Sequence, residues 1–286
     1  MAQGHSPGAT NAGGGAACAG LPSQATLKNA LIAAVAAEAS GLDFEMWATI
    51  VNRDGLVCAV AFSGADRQSQ WPGSRVISAQ KANTANAFSL PSPLTSTKFP
   101  NGLALSTANL YSAVQPGGSL YGLQHSNPVN TDDAYGGNPT TYGQPNDFMV
   151  GGRIGGVNVF GGGLALYDPS HKVVGGLGVS GDTSCADHMI AWRTRNNLGL
   201  DHLMGVGGVA GDPARPDNIV YDIVGGVSAG GFGQASATGW ELHDTCPTQP
   251  VATENGRCPP VLPIASHTQG SRTLLRGDAR PASEEK

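Results

Sequence analysis

The chain has 286 residues, of which 13% are charged and 42 are glycine, with a formal net charge of −5. No broad basic field exists to attract a polyanion, so nucleic acid and membrane surfaces are not expected partners. The longest apolar runs, such as residues 30–37, are far too short to span a bilayer, while 40% apolar content argues for a packed core despite the glycine.

Residues 1–20 are mostly Gly, Ala, Ser and Asn and read as a disordered leader, with neither the charged nor the apolar region of a signal peptide. Ser23 is a good N-cap for a helix to about Ser40, with Leu27, Leu31, Ala34 and Val35 on one face and Gly41 as its stop. Residues 46–52 and 56–62, joined by Arg53-Asp54-Gly55, predict a β-hairpin. A second helix is expected from Ser74 to about Ser89, where Pro91 and Pro93 bar its continuation. Residues 91–152 form a long Gly-, Pro-, Asn- and Tyr-rich segment, which reads as an ordered functional loop because it keeps Tyr111, Tyr121, Tyr135, Tyr142 and Phe148. Strands are predicted over 157–167 and 173–179, then a helix from about Ser184 to Leu198 capped by Asp182 or Thr183, and another strand over 218–227. This order predicts an α+β fold in which helices flank an antiparallel sheet. The division is a single domain over 21–250 followed by a loop-like tail over 251–286.

The five cysteines, Cys18, Cys58, Cys185, Cys246 and Cys258, form no CxxC pair, which removes zinc-ribbon, thioredoxin and c-type haem readings. Cys246 and Cys258 precede proline in polar sequence, so one or two disulfides and an oxidising compartment are expected; five buried thiols are the bland alternative. The glycine pairs lack phosphate-loop spacing, and Gly178-Val179-Ser180-Gly181 is not a nucleophile elbow. Glycines inside strands mark bulges or admit a close neighbour, which suits a flat ligand and subunit packing alike. Asp132-Asp133 reads as a solvated pair.

A succession of motifs follows one order. The Asn52-Arg53-Asp54-Gly55 hairpin leads to Lys81-Ala82-Asn83-Thr84-Ala85. After the long segment come Gly161-Gly162-Gly163, then Gly178-Val179-Ser180-Gly181, and last Asp187. Over roughly 23–90 and 150–200 this resembles the GlcG/HbpS family of haem-binding or haem-degrading proteins, of the DUF336 type. The resemblance implies a profilin-like sheet flanked by helices, oligomers, and in some members extracellular haem binding or redox sensing. The family's short members lack the 91–152 insertion and the C-terminal extension.

The resemblance makes haem the cofactor to test, and its iron needs an axial donor such as a neutral imidazole. His125, close to Tyr121 and Asn127-Pro128, is the preferred donor, set against an ordinary exposed loop histidine. His188 shares a helical face with Cys185 and Trp192, which makes either a haem-edge stripe or, more often, the face packed on the sheet. Lys81 and Arg75 are expected on the haem propionates; the alternative for Lys81 is a salt bridge to Asp187 or Asp66. His171 is expected on an exposed turn, His202 and His243 have no partner at ligand spacing, and His5 and His267 lie in the tails. Three functions follow. The first is a secreted or periplasmic haem-binding protein, redox-related and homo-oligomeric. The second is an enzyme on a small aromatic or hydroxy acid, with the insertion as lid. The third is an oligomeric structural or redox-sensor module.

Overall fold

The computed structural model describes residues 15–38, 41–210 and 213–219, together with the backbone of 223–224 and 227–228. Helix α1, Gln24–Ala36, starts where Ser23 Oγ accepts the Thr26 amide hydrogen, and it buries Leu27, Leu31 and Ala34. Strands β1, Trp47–Asn52, and β2, Val57–Phe62, form the predicted hairpin. Its turn is organised by Asn52, whose Oδ1 accepts the Asp54 and Leu56 amides at 3.0 and 2.9 Å, while Gly55 supplies φ +73.

Helix α2 is Ser74–Phe88, and Ser89 returns to extended backbone ahead of Pro91. The segment that follows is ordered, with short helices α3, Tyr111–Val114, and α4, Thr131–Tyr135. Strands β3, Gly163–Tyr167, and β4, Val173–Ser180, turn through Asp168, whose Oδ1 accepts the Ser170 and Lys172 amides. The predicted strand over 157–167 begins only at Gly163 because Gly162 takes φ +108, which breaks the extended run. Thr183 caps α5, Ser184–Asn197, and Gly199 follows at φ +66. Instead of one strand over 218–227, β5, Ile223–Val224, pairs with β6, Val227–Ser228. Residues 1–14 and 229–286, and with them His5, His243, Cys246, Cys258 and His267, lie outside the described residues.

The result is an α+β fold whose main sheet is antiparallel, in the order β2-β1-β4-β3. Its two faces are built differently. Ala48, Ile50, Leu164, Leu166, Leu177 and Val179 point towards α1 and α5, where they join Leu27, Leu31 and Ile190 in an aliphatic layer. The opposite face carries Trp47, Val51, Gly176 and Gly178 and receives α2. A Cβ on Gly178 would fall inside the Ser78 carbonyl oxygen, and one on Gly176 inside that of Ala82. The glycines therefore seat the helix backbone directly on the sheet, which fills the space a flat ligand would need there. Thr49 and Ser78 hydroxyls, 2.7 Å apart, tie α2 to β1.

Both rims of the sheet are met by loops. Val57 exchanges backbone hydrogen bonds with Gly151 and Gly152, and β3 is flanked by Thr107 at Gly163 and by Leu200 at Tyr167.

Candidate functional site

Two cations of α2 were expected at a ligand, and both are buried in internal ion pairs. Lys81, 1% exposed, donates to Asp187 Oδ2 at 2.6 Å and to the Val179 carbonyl at 3.0 Å. Asp187 Oδ1 accepts the amides of Gly181 and Asp182 at 3.1 and 2.9 Å, so its carboxylate is fully engaged. This is the Lys81–Asp187 bridge weighed from the sequence. Burial pulls the Lys81 pKa down and pushes that of Asp187 up to about 6, each opposed by the attraction between the two charges. The pair locks α2 to the start of α5 across the end of β4.

Arg75 forks onto Asp147 through Nε, at 2.9 Å, and Nη2, gives Nη1 to the Ala134 carbonyl at 2.8 Å, and lies 3.6 Å from the Tyr142 ring centroid. Asp147 also accepts the amides of Gly143 and Met149. One buried carboxylate thus holds the insertion against α2. Sequence reading missed Asp147, because nothing in a Pro- and Asn-rich stretch distinguishes a buried aspartate from a solvated one. It missed the Arg195–Asp217 pair (2.5 Å) for the same reason.

His188 is 2% exposed, and its Nε2 accepts the Ile219 amide at 3.2 Å, which leaves the proton on Nδ1, where it meets no partner among the described residues. Burial holds its pKa down near about 3, so it is neutral. Its lone pair is already used, and it sits beside Cys185, Met189 and Ile219 on the packed face of α5. Cys185 is buried and is not a free thiol, and Cys18 is bonded to Cys58.

His125 is different. It is exposed on the turn closed by the Ser126 amide to the Gly122 carbonyl, and its imidazole makes no hydrogen bond among the described residues. The flanking Leu120 and Leu123 pack on Leu105, Leu110 and Val159 with Tyr111, whose ring lies 6.5 Å from that of Phe160. Tyr121, on the same turn as His125, is 63% exposed, and Phe160 is 48% exposed. His171 and His202 occupy another place, the β3–β4 turn and the 199–205 loop, where each gives a ring N–H to a backbone carbonyl. The structure does not bring His125 together with Lys81, Arg75 or His188 through any contact among the described residues. Asp132 and Asp133 open α4; Asp133 is buried and accepts from Asn130 Nδ2 at 2.9 Å, and is not merely solvated. No group of three or more His, Cys, Asp or Glu among the described residues could hold a metal ion by itself, and no helix is long and apolar enough to cross a membrane.

A motif order carried by α2, β3, β4 and α5 is matched by a family model over residues 24–195, which span all of these elements. The chain belongs to the HbpS-like family. The model describes its members as haem degrading proteins. Solved structures similar to this HbpS-like chain include the Klebsiella pneumoniae protein ORFY, of family model DUF336, at 23% identity over 62% of this chain and 90% of that one, with a TM-score of 0.40. A PduOC:heme complex is also similar, at 23% identity over 60% of this chain and 89% of its own, with a TM-score of 0.39. No curated protein matches the chain. Neither likeness states what this HbpS-like chain binds.

Proposed function

We propose that the protein binds haem on the outer surface of its insertion, where the His125 imidazole would hold the iron. The observation that carries this reading, in a chain of the HbpS-like family, is an exposed imidazole that makes no hydrogen bond among the described residues, on a turn that also exposes Tyr121 and whose Leu120 and Leu123 pack in one cluster with Tyr111. Aromatic and aliphatic side chains are what a porphyrin face packs against, and a neutral imidazole supplies the lone pair that iron takes. The interior fits the group poorly. The glycine floor of β4 is covered by α2, and Lys81 and Arg75 already neutralise Asp187 and Asp147. Those two cations serve by holding α2, α5 and the insertion in place, and they leave no buried positive charge over for a propionate. When bound at His125, haem would supply a redox-active iron open to solvent, and this chain would contribute the donor and the apolar contact.

The Cys18–Cys58 disulfide and the engaged Cys185 support an oxidising, secreted or periplasmic setting. The exposed Tyr121 and Phe160 rings also suit contact between copies, so a homo-oligomer belongs to the same proposal. Hemin titration of the purified chain tests it. A Soret band is expected, lost or shifted in His125→Ala and unchanged in His171→Ala, with both variants as stable as the parent. An unaltered hemin spectrum on adding protein would remove the proposal. Loss of the band in His171→Ala alone would remove His125 as the donor.

A further inference from the structure

A cleft of about 230 Å³ lies between α1, the loop after β2 and the 139–144 part of the insertion, lined among others by Lys28, Phe62, Asp66, Arg67, Thr140 and Tyr142. None of its lining residues belongs to the haem proposal above. The volume corresponds to about eight waters, below the usual range for drug-sized ligands and suited to a small metabolite. We propose that this cleft, whose lining combines Lys28 and Arg67, unpaired among the described residues, with Phe62 and Tyr142, is a binding site for a small organic acid carrying one carboxylate and a planar body.

Three observations support the site. Lys28 and Arg67, both half-buried, form no ion pair or hydrogen bond among the described residues, whereas the buried Arg75, Lys81 and Arg195 are all paired. Asp66 offsets one of the two charges, so the lining carries a net +1, which matches a monoanion better than a dianion. The Tyr142 and Gln144 part of the lining is held by contacts of its neighbours. Gly143 gives its amide to Asp147 at 2.7 Å and its carbonyl accepts Gln24 Nε2 at 2.7 Å, while Arg75 backs the Tyr142 ring. Tyr142 Oη is occupied by the Gly136 carbonyl at 3.0 Å, so the ring offers its surface and not its hydroxyl. Arg75, expected at a ligand from the sequence, acts here as a positioning residue for one wall. A preformed wall lowers the ordering cost of binding.

The test is an amide-resolved NMR titration of the full chain with benzoate and, in parallel, with neutral benzamide. Saturable shifts at Gly64, Ala65 and Thr140 are expected with benzoate and not with benzamide. Lys28→Gln and Arg67→Gln should each weaken benzoate binding about tenfold or more, the scale of one lost charged hydrogen bond, and the double variant should abolish it. Neither side chain is engaged in the fold, so dispersed spectra are expected for all three variants, and the two single variants decide the matter if the double one does not fold. Absence of shifts at those amides, equal binding of benzamide, or benzoate binding unchanged by both single variants would overturn the proposal.

Discussion

The two faces of the central sheet reach the same burial by opposite means. Against α1 and α5 the strands present Ile, Leu and Val, which interdigitate as bulky side chains do in any helix-on-sheet layer. Against α2 the floor is Gly176 and Gly178, so the helix backbone rests on the strand, and the charged groups it carries there, Arg75 and Lys81, are buried in pairs. A layer of side chains can relax around a trimmed methyl. A backbone seated on a backbone has nothing to yield, and a buried charge has no substitute partner. The α2 face should therefore be the intolerant one.

The largest test of that contrast is Gly178→Val. Its side chain would overlap the Ser78 carbonyl, and a loss of more than about 4 kcal/mol is expected, a large share of a domain's whole stability. A soluble variant with a parental urea midpoint would show the seat to be slack. Next, Lys81→Met strands the Asp187 carboxylate and should cost about 3–5 kcal/mol by urea unfolding. A value near zero would make the pair dispensable.

A smaller effect concerns pH and comes from α5. With a folded pKa near about 3, His188 refuses the proton that the unfolded chain accepts at about 6.5. Its contribution is therefore full above about pH 6.5 and is lost as pH falls towards the folded value, amounting to about 2 kcal/mol between pH 7 and pH 5. Asp187, raised to about 6, acts in the opposite sense over the same window, so urea curves test the difference: from pH 7 to pH 5 the parent should lose about 2 kcal/mol relative to His188→Leu, and equal slopes would sink the assignment. The smallest change is on the aliphatic face, where Ile190→Val should cost only about 0.5–1.5 kcal/mol.

This contrast also explains what the sequence disclosed. Elements with strong local signals were legible: the Ser23 and Thr183 caps, the Asn52–Gly55 turn and the stop before Pro91 all stand where their chemistry predicts. Glycines inside β4 signalled a close neighbour but not its identity, because a helix backbone, a flat ligand and another subunit ask the same of a strand. Lys81 announced a buried partner, and Asp187 was one of two named. Arg75 did not disclose Asp147, seventy-two positions along the chain, since no periodicity links a helix to an irregular segment. Lys28 and Arg67 were invisible as a pair because the cleft they face is made by three separate parts of the chain. The Cys18–Cys58 pairing likewise depends on a fold that spacing does not encode.

The loops that meet Val57 on one rim and Gly163 and Tyr167 on the other have a consequence for assembly. At these three positions the outward amides or carbonyls are already taken, so a strand from a neighbouring copy could not zip along the full length of either rim. Contact through helices or through the surface of the insertion, with side chains setting the geometry, meets no such obstacle.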